Sequence, residues 1–297
     1  MPALLVSACL AHWLTHASKC LPLSAKFSSD YAFSLLDTPE GNPAAIYSAH
    51  SPYLFNMHPD PNAPCGVLLV DKEPDMTSHD AVAICRRQLK FKKIGHCGTL
   101  DPMATGLLML VIGRATKIQD LLMSEDKQYH GTLTLGATTS SQDKESDILE
   151  EKEVPPFTAE QIDAAFDKYT GNFEQIPPMV SAIKKDGVPL YKLARKGIEV
   201  ERKARAVYVT DYSINRIALP EVEFTVNCSK GFYVRTYAHD IGQDLGCGAH
   251  LSALRRSRSG KFTVDKAMKA SDLKTASADD IRNSLISLAE ISLMRGA

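Results

Sequence analysis

The sequence predicts an α+β fold built on a largely antiparallel sheet with flanking helices. Two observations carry this prediction. Segments in which apolar and polar residues alternate, as in strands, are mixed with segments that have the helical spacing of apolar residues. These segments do not form a regular strand–helix–strand repeat, which would favour a parallel sheet instead.

The elements of the first half follow from apolar spacing and capping residues. Residues 67–70 are apolar and predict a short buried strand. Thr77 is placed to cap a helix that runs to the lysine-rich stretch at residues 90–93. Residues 107–112 are continuously apolar, as in a buried strand, and residues 131–135 alternate as a half-buried strand does.

The second half continues the same mixture. Thr158 opens a capping-box pattern and predicts a helix that ends at Gly171. Residues 222–228 have the two-residue period of a strand, and the helix expected after them ends at Gly246. Residues 272–297 are expected to form one terminal helix that caps the core.

Composition is that of an ordinary soluble globular protein. The 297 residues are 44% hydrophobic and 23% charged, mean hydropathy is -0.15, and no apolar run is long enough to span a membrane. The formal net charge is -1, so affinity for RNA must come from local basic patches. The seven cysteines show no C-x-x-C spacing, which argues against a metal site and favours reduced thiols in a cytoplasmic protein.

Residues 1–62 do not have the pattern of a folded domain. Six prolines between positions 37 and 64 indicate irregular chain, and the apolar opening lacks the basic lead-in of a secretory signal. We expect residues 1–62 to be an N-terminal extension that is either disordered or the result of a mis-assigned start, with translation beginning at Met57. The folded domain is then expected over residues 63–297.

One loop is chemically distinctive. Residues 94–106 read IGHCGTLDPMATG and place a single carboxylate, Asp101, among glycine, threonine and proline. Such residues fix the shape of a loop by turn geometry, and loops held on a rigid scaffold commonly carry chemistry. An isolated Asp in this setting would more often form only the hydrogen bonds of a turn, so its interpretation depends on the rest of the chain.

Four further blocks accompany this loop in a fixed order: GVLLVDK at 66–72, DKQY at 126–129, CSKGFYVRT at 228–236, and LGCGAH at 245–250 leading to LRR at 254–256. Together with the loop they resemble the TruB family of pseudouridine synthases, from residue 66 to residue 272. The resemblance implies the pseudouridine synthase fold: a central mixed, mostly antiparallel sheet with flanking helices and an active-site cleft across it.

The resemblance implies that Asp101 is the catalytic carboxylate. It can attack ring carbon 6 or the anomeric carbon of the target nucleotide, or deprotonate the ribose, and the sequence leaves these routes open. Arg235 is implied to keep Asp101 ionised and oriented, because an adjacent guanidinium favours the charged carboxylate. An isolated Arg at such a position would more often face solvent.

Five further residues receive substrate-binding roles from the same resemblance. Tyr129 stacks on the flipped-out base, while Tyr233 and Leu254 line its pocket; each alone would more often be a core residue. His96 fills the space that the base leaves in the RNA. Lys72 supports the catalytic loop, but the KEPDMTS segment that begins with it has a shifted proline and lacks the glycine of the family pattern. The path of that segment and the role of Lys72 are therefore open.

Contacts with RNA phosphates are expected from basic clusters near the cleft, although a charge cluster is more often only a solvated face. The middle cluster belongs to an RNA-binding insertion near residues 177–200, which resembles a family segment expected to be mobile until RNA binds. The candidates are Arg86, Arg87, Lys90, Lys92 and Lys93; Lys184, Lys185, Lys192, Arg195 and Lys196; and Arg255, Arg256, Arg258 and Lys261.

These inferences lead to one expected function and one rival. We expect a monomeric cytoplasmic enzyme, without metal or cofactor, that isomerises the uridine at position 55 in the T-stem-loop of tRNA. Too few residues follow the LRR block for the C-terminal PUA domain of many relatives, so no guide RNA is expected. The rival is a non-catalytic RNA-binding protein, a tRNA folding chaperone on the same scaffold, which would not require Asp101, Tyr129 and Arg235 together.

Overall fold

The computed structural model describes residues 63–296, and the predicted extension over residues 1–62 lies outside them. The strands are β1 (Gly66–Lys72), β2 (Ile94–Cys97), β3 (Thr105–Ile112), β4 (Lys127–Leu135), β5 (Ala137–Thr139), β6 (Ile148–Glu151), β7 (Gly171–Gln175), β8 (Lys184–Lys185), β9 (Val188–Pro189), β10 (Arg205–Ala218), β11 (Glu221–Cys228), β12 (Ala249–Ser259), β13 (Phe262–Thr263) and β14 (Met268–Lys269). The α-helices are α1 (Ser78–Leu89), α2 (Gln119–Met123), α3 (Ala159–Asp167), α4 (Leu190–Ala194), α5 (Val234–Asp244), α6 (Ala270–Thr275), α7 (Ala278–Asn283) and α8 (Leu288–Arg295).

Ten of these strands form one sheet. Its main path has the order β14–β1–β3–β12–β4–β11–β10–β7, with β13 paired to β12 and β2 paired to β3. The pairs β1–β14 and β3–β12 are parallel and the other pairs are antiparallel. The prediction of a mixed, mostly antiparallel sheet in an α+β fold is therefore confirmed.

Side-chain caps set the starts of the predicted helices. The Thr77 hydroxyl accepts a hydrogen bond from the Asp80 N–H at 3.1 Å, and the Asp80 carboxylate accepts one from the Thr77 N–H at 2.7 Å. Thr158 and Gln161 form the same reciprocal pair at the start of α3. Within residues 63–296, no helix is long and apolar enough to cross a membrane.

Two of the predicted helices differ from those in the structure. The helix expected to end at Gly171 ends at Asp167, because the chain turns there and Gly171 already begins β7. The single terminal helix expected over residues 272–297 is three short helices, α6, α7 and α8. Ser277 and Ser287 each form a capping box, so each starts a new helix where a continuous one was expected.

Hydrophobic cores lie on both faces of the sheet. On one face, Phe166 of α3 and Tyr237 of α5 pack edge to face with ring centroids 5.6 Å apart. On the other face, Met109 of β3 and Ile291 of α8 belong to a smaller core. Because β3 is covered on both faces, its residues 107–112 are continuously apolar instead of alternating.

The loop that carries Asp101 ends against the middle of the sheet. There β3 pairs in parallel with β12, and Gly106 lies opposite Arg256. Gly106 has a φ of 97°, and a Cβ on it would lie 2.2 Å from the Arg256 carbonyl oxygen, so only glycine fits. This close approach fixes the C-terminal end of the loop on β12.

Candidate active site

A cavity of about 290 Å³ opens at the centre of the sheet, between the loop after β2, strands β4 and β12, and the start of α5. Five of the predicted site residues line it: Asp101, Tyr129, Tyr233, Arg235 and Leu254. They come from distant parts of the sequence, so the tertiary fold brings them together.

Asp101 and Arg235 are in direct contact in this cavity. Arg235 Nε lies 2.9 Å from Asp101 Oδ2 as an ion pair, and Nη2 donates a hydrogen bond to Oδ1 at 3.3 Å, so the guanidinium contacts both carboxylate oxygens. The Arg235 side chain is 4% exposed, whereas 32% of the Asp101 side chain remains exposed. The carboxylate is therefore oriented and still accessible to a ligand.

Asp143 completes this charged cluster and was not among the residues predicted from the sequence. Its Oδ2 lies 3.6 Å from Arg235 Nε, and its side chain is 4% exposed. Arg235 also donates to the backbone oxygens of Ser141 at 2.8 Å and Val180 at 2.7 Å. Asp143 follows a polar turn, SSQ, in which nothing distinguishes a buried acid from an exposed one.

The charges around Asp101 act in opposite directions on its ionisation. Burial raises the pKa of the Asp101 carboxyl above its ordinary value. The Arg235 guanidinium opposes this rise in pKa, and the neighbouring Asp143 charge adds to it. The ionised carboxylate therefore depends on Arg235.

Tyr129 and Leu254 form an apolar wall of the cavity. They lie on the adjacent antiparallel strands β4 and β12, and each is 9% exposed. Burial raises the pKa of the Tyr129 phenol, so its hydroxyl stays protonated near neutral pH. Tyr233 immediately precedes α5, and Gln175 fixes its backbone by accepting from its N–H at 2.8 Å and donating to its carbonyl at 3.1 Å. The Tyr129 ring and the Leu254 side chain together suit a planar base.

His96 lies beside this cavity and does not line it. It belongs to β2 and lines a neighbouring cavity of about 600 Å³, with His79, Arg86, Gln119 and Lys184. Its ring meets the His79 ring edge-on, with centroids 5.2 Å apart. Burial, followed by the charge of His79, lowers the pKa of His96 to about 4, so the ring is neutral at pH 7. A neutral imidazole at this place can stack and form hydrogen bonds.

Lys72 is fully buried and holds the loop after β2 through backbone groups. Its ammonium donates to the carbonyl oxygens of Glu73 at 2.9 Å, Met76 at 2.7 Å and Pro102 at 2.9 Å. Asp75 takes a left-handed backbone conformation, with φ of 58°, which Asp tolerates better than most residues, and its N–H donates to the Pro102 carbonyl at 3.1 Å. The segment thus makes a tight turn without glycine, and Lys72 contacts the loop after β2 outside the cavity.

The predicted basic clusters differ in exposure. Arg256 is 2% exposed and lines the cavity itself, so it differs from the exposed candidates; in β12 it shares the buried face with Leu254, two residues earlier. Arg255 points to the other face and forms a two-bond ion pair with Asp71, at 3.0 and 2.8 Å. The middle cluster stays exposed, with Lys184–Lys185 in the β8–β9 hairpin.

Solved structures with the same arrangement of strands and helices identify the class of protein. A Cbf5–Nop10–Gar1 complex matches with a TM-score of 0.60 and 26% identity, over 80% of this chain and 69% of that chain. An archaeal box H/ACA sRNP Nop10–Cbf5 complex matches with a TM-score of 0.56 and 26% identity, over 77% of this chain and 61% of that chain. The fold is that of the pseudouridine synthases.

Sequence comparison then identifies the family. A model of the TruB family pseudouridylate synthase N-terminal domain matches residues 86–234, and a model of the tRNA pseudouridylate synthase B C-terminal domain matches residues 235–290. A tRNA pseudouridine synthase B from Opitutus terrae is 53% identical over 74% of this chain and 92% of its own length. One from Syntrophotalea carbinolica is 47% identical over 76% of this chain and 74% of its own length. The chain belongs to the TruB family of pseudouridine synthases, which are isomerases, and the resemblance noted in the sequence is confirmed.

Proposed function

We propose that this protein converts one uridine of tRNA, at position 55 in the T-loop, to pseudouridine. The observation that carries the proposal is the Asp101 carboxylate, both of whose oxygens contact Arg235, beside Tyr129 in a chain of this family. Relatives named tRNA pseudouridine synthase B support tRNA as the substrate. The protein acts as a cytoplasmic monomer and uses neither a guide RNA nor a cofactor.

The reaction exchanges one bond of uracil for another. The bond from ribose C1′ to ring N1 breaks and a bond from C1′ to ring C5 forms. The C5 hydrogen leaves as a proton and N1 gains a proton, so there is no net oxidation or reduction. The Asp101 carboxylate can start this by adding to ring C6, by adding to C1′, or by removing a ribose proton. Each route needs an ionised carboxylate in a fixed position, which Arg235 supplies.

The target base must leave the RNA stack before it can reach Asp101. Tyr129 and Leu254 provide the wall on which the uracil packs. Stacking on an aromatic side chain contributes about 1–3 kcal/mol per base, which offsets part of the cost of unstacking. His96, in the neighbouring cavity, takes the place that the base leaves in the RNA. This division of roles explains why His96 lies outside the cavity of Asp101.

The insertion at residues 177–200 binds the tRNA backbone. Ala182 of this segment lines both cavities, and Lys184 lines the second one. Exposed lysines at this place can contact the phosphates on either side of the flipped nucleotide, and phosphate contacts dominate RNA affinity. The insertion therefore holds the T-loop over both cavities.

Release of tritium from tRNA labelled at uracil C5 tests this proposal, because only bond exchange at C5 expels that hydrogen. We expect release from full tRNA and from the isolated T-stem-loop, and none from a transcript with cytidine at position 55. Release that survives the cytidine substitution would show that another uridine is the target. Tight tRNA binding without any release would favour the rival role as a folding chaperone.

A further inference from the structure

Arg256 is a buried cation that no carboxylate neutralises within residues 63–296. It is 2% exposed, and none of the ion pairs in this part of the chain includes it. Its guanidinium donates to backbone oxygens instead, from Nε to Leu107 at 2.7 Å and from Nη2 to Gly98 at 3.1 Å. Burying a charge costs free energy unless its hydrogen bonds are satisfied, so these two carbonyls are what keep the cation in place.

The two carbonyl groups lie on either side of the loop that carries Asp101. Gly98 directly follows β2, and Leu107 is near the start of β3. The backbone of Arg256 makes a third contact with the same loop, since it lies opposite Gly106 at a distance that leaves no room for a Cβ. Side chain and main chain of one residue thus fix both ends of the loop.

The Arg256 guanidinium also lies beside two other residues of the cavity. Tyr129 is its partner across β4 and β12, and the positive charge opposes the rise that burial causes in the pKa of the Tyr129 phenol. Burial first, and Arg256 second, lower the pKa of Lys127 to about 8. Two neighbouring cations repel each other, and an apolar residue at position 256 would avoid this cost.

We propose that Arg256 is a positioning residue that fixes both ends of the Asp101 loop and the adjacent Tyr129 ring. It thereby sets the distance between the carboxylate and the base stacked on Tyr129. A planar guanidinium can donate in several directions at once, whereas a lysine ammonium is a point charge on a flexible stem. Lysine therefore cannot reproduce the contacts of Arg256. The effect on rate rests on the proposed function, but the effect on the loop does not.

Arg256→Lys and Arg256→Gln test this proposal, with Arg216→Lys and Arg216→Gln as matched controls. Arg216 is an arginine of β10 that pairs with Glu223 and has a side chain 61% exposed. Three quantities are measured: amide hydrogen exchange in the peptide over residues 98–106, single-turnover pseudouridine formation at saturating tRNA, and tRNA affinity against salt concentration.

Both Arg256 variants should speed exchange in the loop and slow the chemical step by about ten- to a hundredfold, because a misplacement of about 1 Å can cost that much. Affinity and its salt dependence should stay unchanged, and the Arg216 variants should match the parent protein. A Lys variant with full rate, beside a Gln variant with weaker and less salt-dependent binding, would make Arg256 a phosphate contact and overturn the proposal. Unchanged loop exchange with an unchanged rate per folded molecule would also overturn it.

Two further outcomes remain decisive. If the parent protein forms no pseudouridine, the proposed function fails, while faster loop exchange in the Arg256 variants still supports the positioning role. If neither Arg256 variant folds, nuclear magnetic resonance of the parent with ¹⁵N-labelled arginine replaces them. An Arg256 Nε–H protected from exchange supports its bond to Leu107, and a rapidly exchanging one overturns the proposal.

Discussion

Asp143 Oδ2 lies 3.6 Å from Arg235 Nε, the same nitrogen that contacts Asp101 at 2.9 Å. One guanidinium therefore bridges two carboxylates, of which Asp101 alone is substantially exposed. The Asp143 charge disfavours the ionised form of Asp101, and the shared Arg235 cation offsets this effect. Arg235 thus favours the ionised form of Asp101, and Asp143 disfavours it.

Arg235→Gln and Asp143→Asn should move the acid limb of the pH–rate profile in opposite directions. The proposed reaction needs ionised Asp101, so its rate should fall as pH drops through the pKa of Asp101. Arg235 lowers this pKa and Asp143 raises it. Loss of the Arg235 charge should therefore move the limb to higher pH, and loss of the Asp143 charge to lower pH. Single-turnover rates over a range of pH measure both shifts, and shifts in the same direction would show that another group titrates.

Asp101→Asn should abolish tritium release from labelled tRNA while tRNA binding stays within a few-fold of the parent. The amide carries no negative charge and is a poor nucleophile or base, whereas affinity comes mainly from phosphate contacts. Asp147→Asn, a change at an exposed acid outside the cavity, is the matched control. Substantial turnover by the Asp101→Asn variant would remove this carboxylate from the mechanism.

The sequence could predict the parts of the site that lie in recognisable local patterns. Asp101 is in a turn-rich loop, and Tyr129, Arg235 and Leu254 belong to blocks with a fixed order. The structure places all four around one cavity. Their catalytic and binding roles stay predictions. The strands and the starts of the helices follow from apolar period and caps, which are local properties of the chain.

The remaining features depend on tertiary contacts that no local pattern shows. Asp143 is buried where its turn meets Arg235 of α5 and Leu251 of β12. Arg256 looks like part of a surface cluster in the sequence, and its burial follows from the pairing of β12 with β3 and β4. The sequence did contain one indication that Arg256 is buried. If Leu254 points into the cavity from a strand, Arg256, two positions later, lies on the same face.

A protein that begins at Met57 should modify tRNA as well as the full chain does. This prediction rests on the sequence, because residues 1–56 lack a periodic core pattern and precede the first block of the family resemblance. Thermal unfolding and single-turnover tritium release compare the two proteins. Insoluble or inactive shortened protein, beside active full-length protein, would show that the extension contributes to the folded domain.

Lys184→Gln combined with Lys185→Gln should weaken tRNA binding and flatten its dependence on salt. Both lysines are exposed in the β8–β9 hairpin, and removing phosphate contacts lowers the number of counterions released on binding. Single-turnover chemistry at saturating tRNA should survive. Lys168→Gln, a change at an exposed lysine outside the insertion, is the control. Unchanged affinity would remove the hairpin from the RNA interface.

Arg235→Lys should have the opposite effect, with a slower chemical step and little change in tRNA affinity. Lysine keeps the positive charge but loses the planar fork that contacts both carboxylate oxygens of Asp101. It also loses the donors to Ser141 and Val180, which fix the guanidinium relative to the loop of Asp143 and to the insertion.

We expect Arg235→Lys to slow single-turnover pseudouridine formation by about ten- to a hundredfold, or about 1.4–2.7 kcal/mol of transition-state stabilisation. The rate and the tRNA affinity are measured over a range of salt, beside the double variant Lys184→Gln, Lys185→Gln. This comparison separates a slower chemical step from weaker binding. Because the guanidinium is buried and its donors face a carboxylate and carbonyl groups, a weaker affinity is not expected from its replacement. If Arg235→Lys lost affinity and kept the rate of the chemical step, Arg235 would be a phosphate contact, and its pairing with Asp101 would have no part in catalysis.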